Sequence, residues 1–255
     1  MTDLGVVVPA YRPDVDCLLS YLDALRDAVD PAVVRIELDA AGPGVVDRLR
    51  AGSRATVHAA DGRRGKGAAI THGFECLDTE YLSFVDADGS TPAASFASIV
   101  AAVADGGDLA VGSRRHPDAV VESHQTWLRR HLGDAFAALA SRALAVDLYD
   151  FQCGAKAISA AAWDRIRPHV YESGFAWDLE VLAVAAALDL DIAEVPIEWE
   201  DRPGSTVDPV RTTADMFRAL VGVRHRVKAM QGSPWHRLAD WRSREPLVGR
   251  DARDG

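Results

Sequence analysis

Asp86 and Asp88 stand one residue apart in Phe84-Val85-Asp86-Ala87-Asp88-Gly89-Ser90, directly after an apolar run with the composition of a buried strand. Two carboxylates so spaced at a strand end project together and can bind a divalent cation, one directly and the other directly or through water. Mg²⁺ and Mn²⁺ prefer such hard oxygen ligands in the company of diphosphate oxygens. A cation seated there would neutralise charge building on a departing nucleoside diphosphate. An isolated pair of this kind is more often a solvated turn, so its weight depends on its neighbours.

One neighbour is Asp61-Gly62-Arg63-Arg64-Gly65-Lys66-Gly67-Ala68. Glycines and cations opening a helix can hold a diphosphate through backbone N–H groups and fixed positive charge. The segment is not a P-loop, because Gly67 follows Lys66 where Ser or Thr would be required. Alone it is weak, since basic Gly-rich turns are common. Further along come Gly112-Ser113-Arg114, the block Asp150-Phe151-Gln152-Cys153-Gly154-Ala155-Lys156, and Gly174-Phe175-Ala176-Trp177-Asp178-Leu179-Glu180. Glu194-Val195-Pro196-Ile197-Glu198-Trp199 and Arg202-Pro203-Gly204-Ser205 follow.

The elements that must position these residues alternate. Strands are expected over Leu4–Val8, Val33–Leu38, Ala55–Ala59, Tyr81–Val85 and Leu109–Val111. Helices are expected over Asp16–Ala28, Val45–Ala51, Gly67–Leu77 and Pro92–Ala104. Such alternation with short connections predicts an α/β fold, a mostly parallel central sheet covered by helices on both faces. Ligands of these sheets bind beyond the carboxyl ends of the strands. Pro9-Ala10-Tyr11, Asp39-Ala40-Ala41-Gly42 and Asp86-Ala87-Asp88-Gly89 should therefore share one rim. Beyond Gln125 a long helix to Ala145, a helix over Phe175–Leu188 and a strand over Ile192–Trp199 are expected.

Composition narrows the classes. The 255 residues carry 28 basic and 38 acidic side chains, a net charge of −10 that argues against a general nucleic-acid binder. Arg supplies 25 of the basic residues and only Lys66, Lys156 and Lys228 are Lys, while Asp outnumbers Glu 28 to 10. An Asp-rich, Lys-poor surface suggests adaptation to high salt, although a GC-rich genome would favour the same residues. Cys17, Cys76 and Cys153 are scattered and odd in number, which indicates neither a disulfide framework nor a structural zinc site, and a cytoplasmic setting is expected. The opening MTDLGVVVPAY lacks the basic flank and apolar stretch of a signal peptide. The longest strongly apolar run, Val181 to Leu188, falls short of the roughly 20 residues of a membrane span.

With these blocks in order, the sequence resembles the GT-A-fold, family 2 inverting glycosyltransferases, and most of all the dolichyl-phosphate glucose and mannose synthases. "DFQCGAKAI", then "GFAWDLEVL" and "EVPIEW…GS", carry the resemblance, which runs from about Leu4 to about Arg226. It implies a three-layer GT-A (Rossmann-like) catalytic domain over 1–206. Residues 207–242 read as an amphipathic helical extension, and the short, charged, Gly-containing stretch over 243–255 as a flexible tail. The resemblance also implies a Mg²⁺ or Mn²⁺ cofactor held by Asp86, Asp88 and Ser90. Pro9, Tyr11, Asp39, Lys66, Ala87, Gln152, Arg202 and Ser205 would hold the donor nucleotide sugar alongside the acidic pair. Asp88, Asp178, Glu180, Arg114 and Arg130 would serve catalysis, the arginines by holding donor or acceptor phosphate. Asp150 and Lys156 would line the site. Two segments depart from the family: Tyr11-Arg12-Pro13 lacks the usual Asn and Glu, and Asp39-Ala40-Ala41-Gly42 keeps one acid of the usual pair. Both normally contact the nucleoside.

The implied reaction moves a hexose from a UDP-glucose or GDP-mannose type donor to a polyprenyl or dolichyl phosphate. The alternatives are a soluble or glycan acceptor, or a nucleotide-sugar-binding protein that has lost turnover. A sugar hydroxyl acceptor needs a general base, for which Asp178 or Glu180 is the candidate. A lipid phosphate is already anionic and needs cations instead. Residues 209–235 offer Val210, Phe217, Leu220, Val221, Val227 and Met230 at near-helical spacing, and six cations against Asp215 lie between Arg211 and Arg237. Such a helix can lie peripherally on an anionic membrane surface, or pack its apolar stripe on the sheet with its cations in water. Trp235 and Trp241 could sit at the lipid interface or cover the core.

Overall fold

The computed structural model describes residues 3–122, 127–200, 209–233 and 245–249. In chain order the strands are β1 (Leu4–Tyr11), β2 (Val33–Asp39), β3 (Thr56–Ala60), β4 (Tyr81–Val85), β5 (Leu109–Ser113), β6 (Val120–Glu122), β7 (Ala155–Ser159), β8 (Ile192–Pro196) and β9 (Glu198–Glu200). The helices are α1 (Val15–Val29), α2 (Pro43–Gly52), α3 (Lys66–Glu75), α4 (Ala93–Ala104), α5 (Trp127–Leu144), α6 (Ala160–Ile166), α7 (Trp177–Ala187) and α8 (Pro209–Met230).

Local chemistry starts and stops these elements as the sequence demands. β1 is buried from Leu4 to Ala10, the continuous apolar run of a strand covered on both faces. Asp14 caps α1, its carboxylate accepting from the N–H groups of Asp16 and Cys17 at 3.1 Å, and Leu18, Leu22 and Leu25 turn inward. Pro43 opens α2, where its missing N–H has no helical partner to lose.

Seven strands form one sheet in the order β3-β2-β1-β4-β7-β5-β8. All its pairings are parallel except those of β7, which runs antiparallel to β4 and β5. β6 and β9 form a separate parallel pair. One group of helices, α1, α2 and α4, packs together, and a second group, α3, α6, α7 and α8, packs against its own neighbours and the sheet. Register aligns Tyr11 with Asp39 and Val7 with Phe84, so β1, β2 and β4 all end at one rim. Because β7 is reversed, the chain before it enters at that same rim, and Asp86 N–H donates to Gly154 O at 2.8 Å.

The elements expected along the first half are present, with ends shifted by up to three residues. β6, α6 and the reversal of β7 were not expected. Two expectations for the C-terminal part change. Met216, Ala219, Leu220, Val223 and Val227 of α8 belong to the same hydrophobic core as the sheet, so this helix is not a separate extension. The tail expected to fray from residue 243 instead places a 3-10 turn at Leu247–Gly249, where Leu247 is buried and its N–H donates to Val170 O at 2.9 Å. The buried Leu247 side chain and this hydrogen bond fix the chain there. Trp235, Arg237 and Trp241 lie outside the described residues.

Candidate active site

Asp86 leaves β4 at the rim and is pressed against the block that precedes β7. A side chain at Gly154 would place its Cβ 1.9 Å from Asp86 Oδ2, so only glycine fits beside this carboxylate. Lys66 Nζ contacts Asp86 Oδ1 at 3.0 Å and Asp178 Oδ2 at 3.2 Å. Lys156 Nζ contacts Asp178 Oδ1 at 2.5 Å and donates to Cys153 O at 2.9 Å. Acids and ammonium groups therefore alternate, Asp86–Lys66–Asp178–Lys156, above the face of Phe84. Asp178 is buried, so its charge is tenable only because both lysines reach it.

The glycines flanking Lys66 make this possible. Gly65 has φ +99°, the left-handed region, and a Cβ there would lie 2.6 Å from Ser173 O. A Cβ at Gly67 would lie 2.4 Å from that of Trp177 and 2.6 Å from Glu172 O. The start of α3 is thus pressed onto the segment leading into α7, and Ala68 N–H donates to Ser173 O at 3.0 Å. Trp177 anchors the junction, fully buried, with its indole N–H donating to Thr71 Oγ1 at 3.0 Å.

Asp88 is exposed, and its Oδ1 accepts the Ser90 N–H at 2.9 Å, which turns the chain. Ser90 is buried, and its carbonyl accepts the Glu200 N–H at 3.0 Å. Enclosure pushes the Asp86 carboxyl above the usual carboxylate range, Lys66 pulls it back, and Asp88 and Asp178 push it up again. Three carboxylates face two ammonium groups here. That surplus of negative charge, on hard oxygens at an accessible rim, suits a divalent cation such as Mg²⁺ or Mn²⁺.

Arg114, just past β5, meets Asp150 with both ends of its guanidinium, Nε at 2.7 Å and Nη2 at 3.0 Å. Burial would raise the Asp150 carboxyl, but Arg114 outweighs it and holds it at about 2. Asp150 Oδ1 also accepts the Gln152 N–H at 3.0 Å, while Glu194 accepts the N–H groups of Tyr149 and Asp150. The Cys153 thiol is pushed up to about 12 by burial, so it is no nucleophile.

A second polar cluster sits under the ends of β2 and β3. Glu37, fully buried, accepts from Arg35 Nε at 2.5 Å and Arg64 Nη2 at 2.9 Å, and lies 2.8 Å from His58 Nδ1 and 3.1 Å from His72 Nδ1. Burial would raise its carboxyl, yet His72 and Arg35 bring it down to about 2. Glu37, His58 and His72 lie near enough to share a metal ion. Two guanidiniums already occupy that carboxylate, however, and a dication would face them directly. Asp39 is likewise engaged, accepting from Arg64 Nε at 2.8 Å and from the Gly65 N–H at 2.9 Å. It shapes the turn ahead of Lys66. Above it, Arg63 and Arg12 lie 4.4 Å and 5.1 Å from the centroid of the Tyr11 ring.

The structure brings Tyr11, Asp39, Lys66, Asp86, Ala87, Asp88, Arg114, Gln152 and Asp178 to the rim or the network beneath it, and Pro9 lies buried in β1 two residues below Tyr11. Glu180 is not among them. Its Oε2 accepts the N–H groups of Tyr171 and Glu172 at 2.7 Å, and its Oε1 pairs with Arg226 Nη2 of α8 at 2.6 Å. Burial pushes its carboxyl up while Arg226 and those two N–H groups hold it back. Arg202 and Ser205 lie outside the described residues, as does the side chain of Arg130. Sequence reasoning missed Glu37, and it gave Arg64 to a diphosphate-holding turn and Arg226 to a basic helix face, where the structure pairs Arg64 with Glu37 and Asp39 and Arg226 with Glu180. Strand alternation offered the signal for Glu37, an acid two residues from Asp39 and therefore on the same face of β2.

Residues 39–163 match the family model described as Glycosyl transferase family 2. Over 226 residues the chain is 33% identical to the glycosyltransferase AglD of Haloferax volcanii, a match covering 84% of this chain and 36% of that protein. Over 168 residues it is 32% identical to the dolichyl-phosphate beta-glucosyltransferase of Dictyostelium discoideum, covering 64% and 51%. The chain thus spans about a third to a half of the length of these curated relatives. Among solved structures, glucosyl-3-phosphoglycerate synthase from Mycobacterium tuberculosis, in complex with Mn²⁺, UDP-glucose and phosphoglyceric acid, superposes with a TM-score of 0.66. That match has 14% identity and covers 88% of this chain and 80% of the other. The likeness is one of fold, and the fold is GT-A.

Proposed function

The chain carries a domain of glycosyl transferase family 2, and from that premise we propose that it transfers glucose from a nucleotide sugar to a polyprenyl phosphate such as dolichyl phosphate. The curated relatives named for dolichyl-phosphate glucosyl transfer support this reading. The observation that carries it is the state of the two acids a hydroxyl acceptor would need. Asp178 is held by Lys66 and Lys156, and Glu180 by Arg226 and two backbone N–H groups. Both acids are thus engaged by partners within the fold, whereas a general base would need an oxygen free to reach an acceptor's proton. An acceptor that arrives as a phosphate anion needs none taken.

In the proposed reaction an acceptor phosphate oxygen attacks the anomeric carbon from the face opposite the donor diphosphate. The new C–O bond forms as the bond to the diphosphate breaks, and the nucleoside diphosphate leaves with that electron pair. Asp86 and Asp88 would hold a divalent cation, which when bound supplies Lewis-acid neutralisation of the leaving diphosphate. Lys66, already beside Asp86, places an ammonium where phosphate oxygens would lie. Arg114 is fixed by Asp150 and adds a positive charge that cannot be lost, because that pairing raises its pKa further. Most of the acceleration would come from such positioning of charge. Tyr11, with Arg63 and Arg12 on its ring, supplies a surface for the nucleoside.

No helix among the described residues is long and apolar enough to cross a membrane. Access to a lipid would fall to the outer face of α8, where Phe217, Arg218, Val221 and Arg224 are exposed while the opposite face joins the core. An apolar and cationic strip on an acidic protein suits an anionic surface. The test uses radiolabelled UDP-glucose, UDP-N-acetylglucosamine and GDP-mannose with dolichyl phosphate, Mn²⁺ and high salt. Label from UDP-glucose is expected in an organic-extractable product released by mild acid. Transfer only to a water-soluble acceptor would overturn the lipid assignment.

A further inference from the structure

Glu180 and Arg226 are the best-buried charged pair that the proposed chemistry leaves unused. Arg226 Nη2 lies 2.6 Å from Glu180 Oε1 and donates to Glu172 Oε1 at 2.7 Å. Its guanidinium also stacks 5.4 Å from the centroid of the Tyr171 ring. The other oxygen of Glu180 takes the Tyr171 and Glu172 N–H groups, so Glu180 holds the backbone of this short stretch while Arg226 holds its side chains. That stretch is the one on which the start of α3 rests: Glu172 O and Ser173 O are the atoms that exclude any side chain at Gly67 and Gly65, and Ser173 O accepts the Ala68 N–H. Four residues past Ser173, Trp177 closes over Gly67, and Asp178 then holds Lys66.

One continuous set of contacts therefore leads from α8 through residues 171–178 to the ammonium that touches Asp86. We infer that Arg226 is a positioning residue that couples the seating of the basic helix α8 to the placement of Lys66 in the donor site. A helix whose outer strip meets the acceptor's surroundings would, through this tie, favour a correctly placed donor cation. Glu180 is buried and the Arg226 side chain is only 10% exposed, which makes the link stiff, because a charged pair on the protein surface would yield in water at little cost. The inference deepens the proposed function and rests on it for the identity of the ligand, but the mechanical link stands on the contacts alone.

Two measurements on the full chain separate these levels. Hydrogen exchange reads the link without any ligand. Arg226→Gln is expected to speed exchange at the Tyr171 and Glu172 amides and also at Ala68, which hydrogen-bonds Ser173 O. Faster exchange at 171 and 172 with Ala68 unchanged overturns the coupling, whatever the enzyme does. Calorimetric titration with Mn²⁺ and UDP reads the consequence. Arg226→Gln and the milder Glu172→Gln are each expected to weaken UDP binding about tenfold, the scale of one charge-assisted hydrogen bond. Arg226→Lys, which keeps one charge at Glu180, is expected to recover part of that loss. Arg48→Gln, which removes an exposed ion pair between α1 and α2, sets the baseline. Variants that melt earlier yet bind UDP like the parent reduce Arg226 to a structural tie and overturn the inference. A parent chain that binds no nucleotide would sink the proposed function and leave the exchange result to decide the link.

Discussion

Two acidic clusters lie on strands that flank β1 on either side, and they are built to opposite rules. Under β2 and β3, Glu37 and Asp39 meet Arg35 and Arg64, with His58 and His72 completing the shell. Acid and guanidinium balance, and both carboxylates are engaged. At the end of β4, Asp86 and Asp178 meet Lys66 and Lys156, while Asp88 is exposed and pairs with neither lysine in the contacts described. The first cluster is complete without help, and its carboxyl titrates low. The second is short of positive charge, and its central carboxyl titrates high. A cluster that balances itself holds the fold; one left in deficit holds a place for something that arrives. The acid content of a rim is a poor guide to chemistry unless its cations are counted too.

The comparison breaks most readily at Asp88. Asp88→Ala is expected to lower kcat for the proposed lipid glucosylation by about 100-fold or more, the scale of a lost transition-state contact, with the fold intact because the side chain is exposed. Unchanged turnover at saturating Mn²⁺ would show that the deficit serves no metal. Glu37→Gln should behave in the reverse sense. It leaves two arginines facing a neutral amide in a buried site and is expected to cost about 3 kcal/mol in urea unfolding, with Mn²⁺ affinity retained. A loss of metal binding as large as that of Asp88→Ala would merge the two clusters into one.

Acid titration sharpens the contrast. Glu37 falls from its ordinary 4.5 to about 2 on folding, so its stabilisation is complete above pH 4.5 and lost as pH drops towards 2. The shift corresponds to on the order of 3 kcal/mol. Asp150, held at about 2 by Arg114, adds to loss over the same window. Chemical unfolding at stepped pH should show stability declining between pH 4.5 and 2 in the parent, and a shallower decline in Glu37→Gln. The smallest effect is thermal. Mn²⁺ with UDP at roughly ten times its Kd should raise Tm by about 3–5 °C in the parent and not in Asp86→Asn. An equal rise in that variant would move the cation elsewhere.

Much of this was legible in the sequence. An apolar run stopping at Asp86, and the same pattern at Asp39, announced strands ending at a common rim, because parallel strands align their ends. The block from Asp150 to Lys156 was recognisable by its residues but not by its direction. A strand reading Ala-Lys-Ala-Ile-Ser carries too little apolar weight to be seen, and nothing local says that it runs against its neighbours. Lys156, buried within it, is paid for by Asp178, a partner distant in sequence. Glu180 was misplaced for a reason that could have been seen. Residues two apart on a helix face different ways, so Asp178 and Glu180 could not both look at the acceptor. The arginines of α8 read as a strip of surface charge because only the packed helix shows that Arg226 turns inward.

Gly154 leaves one last consequence. The room where its side chain would stand is filled by an oxygen of Asp86. The mould for the acid is thus the bare backbone of another strand's approach, and a single methyl group added at 154 would displace the carboxylate without touching any charge. Engineers altering donor choice in this scaffold should treat positions 86 and 154 as one unit, free to change together and seldom apart.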